Sequence, residues 1–140
     1  MDQIDKQRNI IDRLTIDAQL KAIIGDETYN LSKRREILSI LKPALISSKS
    51  EVQRRFEVFG DNTECGGQAM RGNAFLIDQM VRIIFDFATN QAYPTANKST
   101  SEKLCLVAVG GYGRAELAPF SDIDLMFLIP YKETPYIEQI

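Results

Sequence analysis

Histidine and tryptophan are absent from the 140 residues, and cysteine occurs only at positions 65 and 105. Without histidine, no Ser-His or Cys-His nucleophile can form, and a zinc site built from this chain alone lacks ligands. Two cysteines forty positions apart make no disulfide framework, which fits a reducing cytoplasm. Neither sign of charge dominates: 17 basic and 19 acidic side chains leave a formal charge of -2. That balance gives no electrostatic case for bulk binding to nucleic acid or to an acidic membrane surface. No stretch reaches the roughly 18 apolar residues of a spanning helix. The opening Met1-Asp2-Gln3-Ile4-Asp5-Lys6 has no apolar signal core. These absences predict a cytoplasmic protein with an authentic start and with neither a nucleic-acid nor a membrane partner.

The composition that remains, 44% hydrophobic and 26% charged, is that of a globular chain. Its length suits one ordinary domain or a piece of something larger. Periodicity predicts a helical region over residues 1–94, then a β-α-β segment within 95–140, an α+β organisation. Ile10, Leu14 and Ala18 recur at helical spacing, and Gly25-Asp26 supplies a stop. Ser32 is a candidate N-cap for a segment holding Ile37 and Leu41, and Pro43 must start a new helix or kink this one. Leu45, Val52, Phe56 and Phe59 then share a face. A long helix over about 69–90 is apolar nearly all round and wants partners on most sides; its narrow polar stripe sets Asp78, Arg82 and Asp86 at i, i+4 spacing. Residues 104–109 and 123–129 read as buried strands, with a short helix over 112–117 between them.

The chemistry gathers in that last segment. Gly110-Gly111 directly follows a strand, so backbone amides there can approach an anion closely, and Arg114 could reach a phosphate oxygen. No Gly-Lys-Ser/Thr follows, so this is not a Walker A loop, and no third glycine completes a dinucleotide fingerprint. After ten intervening residues come Asp122 and Asp124. Two apart at the mouth of a strand, they should face one side, with Ile123 and Leu125 turned into the core. Two such carboxylates repel unless a cation compensates, and Mg²⁺ is the natural one, being hard and oxygen-seeking. The alternative is that Asp122 caps a turn after Ser121, Asp124 is a strand-end charge, Arg114 is solvated or salt-bridged, and Tyr112 packs under the loop.

The run Gly110-Gly111-Tyr112-Gly113-Arg114-Ala115-Glu116-Leu117, leading through Pro119 and Ser121 into Asp122-Ile123-Asp124, resembles the signature of DNA-polymerase-β-type nucleotidyltransferases. More narrowly it resembles the N-terminal part of the bacterial bifunctional uridylyltransferase/uridylyl-removing enzymes of nitrogen regulation. That resemblance implies transfer of UMP from UTP to a tyrosine of the PII signalling protein, with pyrophosphate leaving. Asp122 and Asp124 would hold Mg²⁺, and Gly110 and Gly111 would hold phosphate. It also implies a third carboxylate on a later strand. Only ten residues follow Pro130, and Glu133 and Glu138 lie in a polar tail unsuited to that role. The His-Asp hydrolase domain that removes uridylyl groups and the domains that sense glutamine are implied for the parent and have no counterpart here. The expectation is an N-terminal fragment of a longer enzyme, inactive and poorly soluble alone, with an open sheet edge. Two other readings stay open: a related transferase with a different acceptor, and a non-catalytic helical interaction module.

Overall fold

The computed structural model describes residues 9–25, 29–59, 65–95 and 99–140. Three helices make the larger part: α1 (Arg13–Ile24), α2 (Arg34–Phe59) and α3 (Cys65–Phe87). A two-stranded sheet follows, of β1 (Cys105–Ala108) and β2 (Leu125–Leu128), with the single turn α4 (Gly110–Gly113) between them and α5 (Pro135–Gln139) after. The organisation is α+β, as expected. The strands run antiparallel, Cys105 opposite Leu128 and Ala108 opposite Leu125.

Helix α1 begins where Asp12 caps it, accepting from the Thr15 N–H at 3.2 Å and the Thr15 hydroxyl at 2.6 Å. It ends at Gly25, whose φ of 57° suits a residue with no side chain and whose N–H reaches the Lys21 carbonyl at 2.9 Å. The buried face is Ile16, Leu20 and Ile24, one residue every turn. The expected face through Leu14 is therefore wrong: Leu14 is 76% exposed, and Ile10 enters the core from the segment ahead of the helix. Ser32 is not the cap expected of it. Asn30 fills that role, its side chain accepting from the Ser32 and Lys33 amides at the start of a 3-10 turn, Leu31–Lys33. Lys33 in turn donates to the Ile23 and Ile24 carbonyls at 3.0 Å, binding that turn to the end of α1.

Pro43 neither starts a new helix nor ends the old one, since α2 runs through it for 26 residues. Pro43 and Ser39, four positions earlier, both lie on the exposed side. The carbonyl left without its usual N–H partner can therefore be hydrated. Farther along, Glu51 accepts from Arg54 and Arg55, each at 2.8 Å, and these two partners hold its carboxyl down to about 2.

The all-round apolar character of α3 has a direct structural reason. One stripe, Leu76, Met80 and Ile83, joins Ile16, Leu20, Ile37 and Val52 in the core shared with α1 and α2. A second stripe about a third of a turn away, Ala74 and Ile77 with Val81 beside them, packs instead on Tyr112, Leu117 and Leu125. Helix α3 is thus the common wall between the helical layer and the sheet. On its polar side Arg82 pairs with Asp78 at 3.0 Å as the spacing predicts, whereas Asp86 turns to Arg13 of α1 at 3.9 Å. The helix ends in a π turn, Ala88–Ala92.

Leu76 is fully buried and Ile84, on the same helix, is 51% exposed. Leu76→Ala leaves a cavity and is expected to cost about 3 kcal/mol, lowering the melting temperature by roughly 10 °C. Ile84→Ala should cost less than about 1 kcal/mol. Thermal unfolding of the two variants checks the assignment; equal effects would mean α3 is rotated from the orientation described.

Candidate active site

The two strands are real, but neither is buried as expected. Met126, Phe127, Leu128 and Ile129, whose side chains alternate between the two faces, are each between 40% and 57% exposed. What organises the site is the loop between them. Helix α4 is a single turn, Gly110–Gly113, shorter than the helix expected over 112–117. Gly113 N–H is the first amide of the turn to bond back, to the Val109 carbonyl at 2.9 Å, so the amides of Gly111 and Tyr112 have no acceptor within the turn.

Both proposed metal-binding carboxylates lie ahead of β2 rather than on it, and both are exposed. Strict alternation does not hold there: Ile123 is 45% exposed, while Leu125 reaches the core beside Tyr112 and Leu117. Asp124 is tied to the turn through backbone and side chain alike. Its carbonyl accepts from the Val109 N–H at 3.1 Å. Its carboxylate lies against Gly110, where a β-carbon would stand 2.7 Å from Oδ2. Gly110 also has a φ of 61°, so both backbone conformation and space require glycine. Gly113 is needed for a different reason, a β-carbon there falling 2.6 Å from the Ala108 carbonyl oxygen. At Gly111 the nearest atom would be the Glu116 carbonyl oxygen, at 3.2 Å.

Thus Asp124 and Gly110 are brought together, with Gly111 next in the same turn, and Asp122 stands two residues away in the exposed loop. Arg114 is two-thirds exposed and its Nε donates to Glu116 at 3.3 Å, the salt-bridged alternative noted for it. Tyr112 is 6% exposed and packs under the loop; burial raises its phenol above the ordinary value, with Asp78 adding to the rise. Among the described residues no three carboxylate, cysteine or histidine side chains cluster as a metal cage. The exposed Asp124 carboxylate beside side-chain-free backbone is an oxygen donor of the kind a hard divalent cation takes, the other ligands coming from water and phosphate.

Four further residues complete the geometry, of which Asn73 lies far from the motif in sequence. Ala115 and Phe120 both adopt left-handed backbone, with φ of 58° and 68°, at a cost of about 1 kcal/mol or more each. Between them, Leu117 is 2% exposed against α3, and the Asn73 side chain of α3 donates to the Leu117 and Ala118 carbonyls at 3.2 and 3.3 Å. Sequence reasoning missed Asn73. Its only signal is an amide between Gly72 and Ala74, off the polar stripe of Asp78, Arg82 and Asp86.

Comparisons with known proteins bear out the family resemblance. The chain is 43% identical over 138 residues to the bifunctional uridylyltransferase/uridylyl-removing enzyme of Erythrobacter litoralis. Identity to the enzymes of the same name is 41% in Rhodospirillum rubrum and 39%, over 137 residues, in Azospirillum brasilense. Each match covers 98–99% of this chain and 14% of the relative. No family model matches the chain, and no solved structure does. No helix among the described residues is long and apolar enough to cross a membrane. Along almost its whole length, then, the chain is similar to a segment making up 14% of enzymes that attach and remove uridylyl groups.

Proposed function

We propose that this chain is the N-terminal part of a longer cytoplasmic enzyme that transfers UMP from UTP to a tyrosine of the PII nitrogen-signalling protein, and that it supplies the first half of the transferase site. The observation that carries the reading is the seating of the Asp124 carboxylate on Gly110, the residue where the chain leaves β1 for the glycine turn. An acidic side chain and a bare stretch of backbone amides side by side can serve one ligand, the metal-bound triphosphate of a nucleotide.

In this reading Asp122 and Asp124 hold Mg²⁺, and Gly110 and Gly111 bring backbone close to phosphate. Bound there, Mg²⁺ supplies the positive charge that joins the triphosphate to the acidic loop and eases departure of pyrophosphate. Arg114, held by Glu116, is exposed on the same loop and would have to exchange that partner to touch phosphate. The removal of uridylyl groups belongs to another part of the parent, since this chain has no histidine for a His-Asp hydrolase centre, and in this reading the third carboxylate and the response to glutamine do too. The helices described within residues 9–95 serve as a support, and 95–140 as the start of the transferase domain.

The test is labelled UTP, Mg²⁺ and purified PII, incubated with the longer enzyme and separately with the 140-residue chain. The expected result is Mg²⁺-dependent labelling of PII by the longer enzyme and none by the short chain. A longer enzyme that labels no PII would sink the acceptor assignment. Comparable labelling by the short chain would show that Glu133 or Glu138 completes the site.

A further inference from the structure

We propose that Asn73 is a positioning residue for the loop that carries Asp122 and Asp124, acting through the Leu117 and Ala118 carbonyls. The proposal rests on the transferase reading of those carboxylates. The loop from Arg114 to Ser121 cannot hold itself. Its internal bonds are local, from Ala115 N–H to Tyr112, Glu116 N–H to Gly111 and Ser121 N–H to Ala118, and it passes through two left-handed non-glycine residues. Ala115 and Phe120 would relax toward ordinary backbone unless the segment between them were fixed from outside. Phe120 makes no such anchor, being fully exposed.

Two contacts with α3 fix it, and they are of different kinds. Leu117 packs in one buried cluster with Ala74 and Ile77, which sets how close the loop lies to the helix. Apolar packing is non-directional, however, and leaves rotation about that seat open. The Asn73 amide removes this freedom by donating to two successive carbonyls, 44 and 45 residues away in sequence. Asn73 precedes Ile77 by one turn on the same face of α3, so helix geometry brings its amide to the side of the Leu117 seat. From Ala118 only four residues lead to Asp122, so an error in the loop's orientation is delivered directly to the carboxylates.

The test uses the longer enzyme and three variants: Asn73→Asp, which keeps the shape and removes the donor, Asn73→Ala, and Asn73→Gln, which retains an amide. For the Asp and Ala variants we expect hydrogen exchange of the 115–122 amides to rise at least about tenfold, with exchange across 76–83 unchanged. Turnover should fall on the order of tenfold to a hundredfold, the loss associated with small misplacements of reacting groups, with a smaller change in KM for UTP. Asn73→Gln should recover part of both. Unchanged exchange over 115–122, or normal turnover in the Asp variant, would overturn the proposal. So would exchange that rises equally in the loop and through 76–83, since Asn73 would then be supporting the helix and not orienting the loop. A wild-type enzyme with no transfer would remove the functional reading alone, and exchange would still decide whether Asn73 holds the loop.

Discussion

Asp124→Asn in the longer enzyme is expected to reduce UMP transfer at least about a hundredfold while leaving the melting temperature nearly unchanged. Asparagine has almost the same shape, so the contact with Gly110 and the backbone bond from Val109 to the Asp124 carbonyl both survive. What is lost is the full negative charge proposed to face a cation, and charge stabilisation of this kind is worth several kcal/mol in phosphoryl-type transfers. Asp122→Asn should act similarly. Its side chain is exposed and bears no burden of packing, so a surface substitution there should change stability by less than about 0.5 kcal/mol. The measurement is turnover against Mg²⁺ concentration for each variant, beside thermal unfolding. Near-normal transfer by either variant would take that residue out of the site; a large fall in melting temperature would assign it to the fold instead.

The motif was legible because its meaning is local. A strand, a glycine pair and, after ten intervening residues, an acidic pair can be read from neighbouring letters, and both strands and the glycine turn lie where they were expected. How the parts touch was not legible. Strand alternation predicted that Asp122 and Asp124 would share a side, yet both precede β2, and the contact that matters is between Asp124 and Gly110, fourteen residues apart. Apolar composition identified β2 but could not say whether anything covers it, since burial depends on a partner and not on the strand's own letters. In α1, stripes through Leu14 and through Ile16 both satisfy helical spacing. Asp12 and Thr15 fix where the helix starts, and packing on α2 and α3 selects the stripe Ile16, Leu20 and Ile24. Asn73 lay beyond reach for the same reason: its role is defined by two carbonyls more than forty residues away.

Gly110→Ala and Gly113→Ala are expected to fail in opposite ways, although the two glycines sit in one turn. At Gly113 an added β-carbon would be 2.6 Å from the Ala108 carbonyl oxygen and 3.0 Å from its carbon. Both are backbone atoms of the last residue of β1, paired across the sheet with Leu125, so they cannot yield without opening the ladder. Overpacking against such a wall costs roughly 1–3 kcal/mol, and the melting temperature should fall by several degrees or more. At Gly110 the obstructing atom is the free end of the Asp124 side chain, Oδ2 at 2.7 Å. A carboxylate can swing aside, so the stability cost reduces to that of alanine in left-handed backbone, about 1 kcal/mol. The displaced group is nevertheless the one assigned to the metal, so transfer should fall nearly as far as in Asp124→Asn. Unfolding and turnover measured together on both variants separate the cases. The expected pattern is a folded, inactive enzyme for Gly110→Ala, and for Gly113→Ala a destabilised enzyme whose folded fraction retains more activity. If Gly110→Ala transfers UMP normally, the seat of Asp124 on Gly110 is an accident of packing, and the acidic loop binds its cation, if any, in some other arrangement.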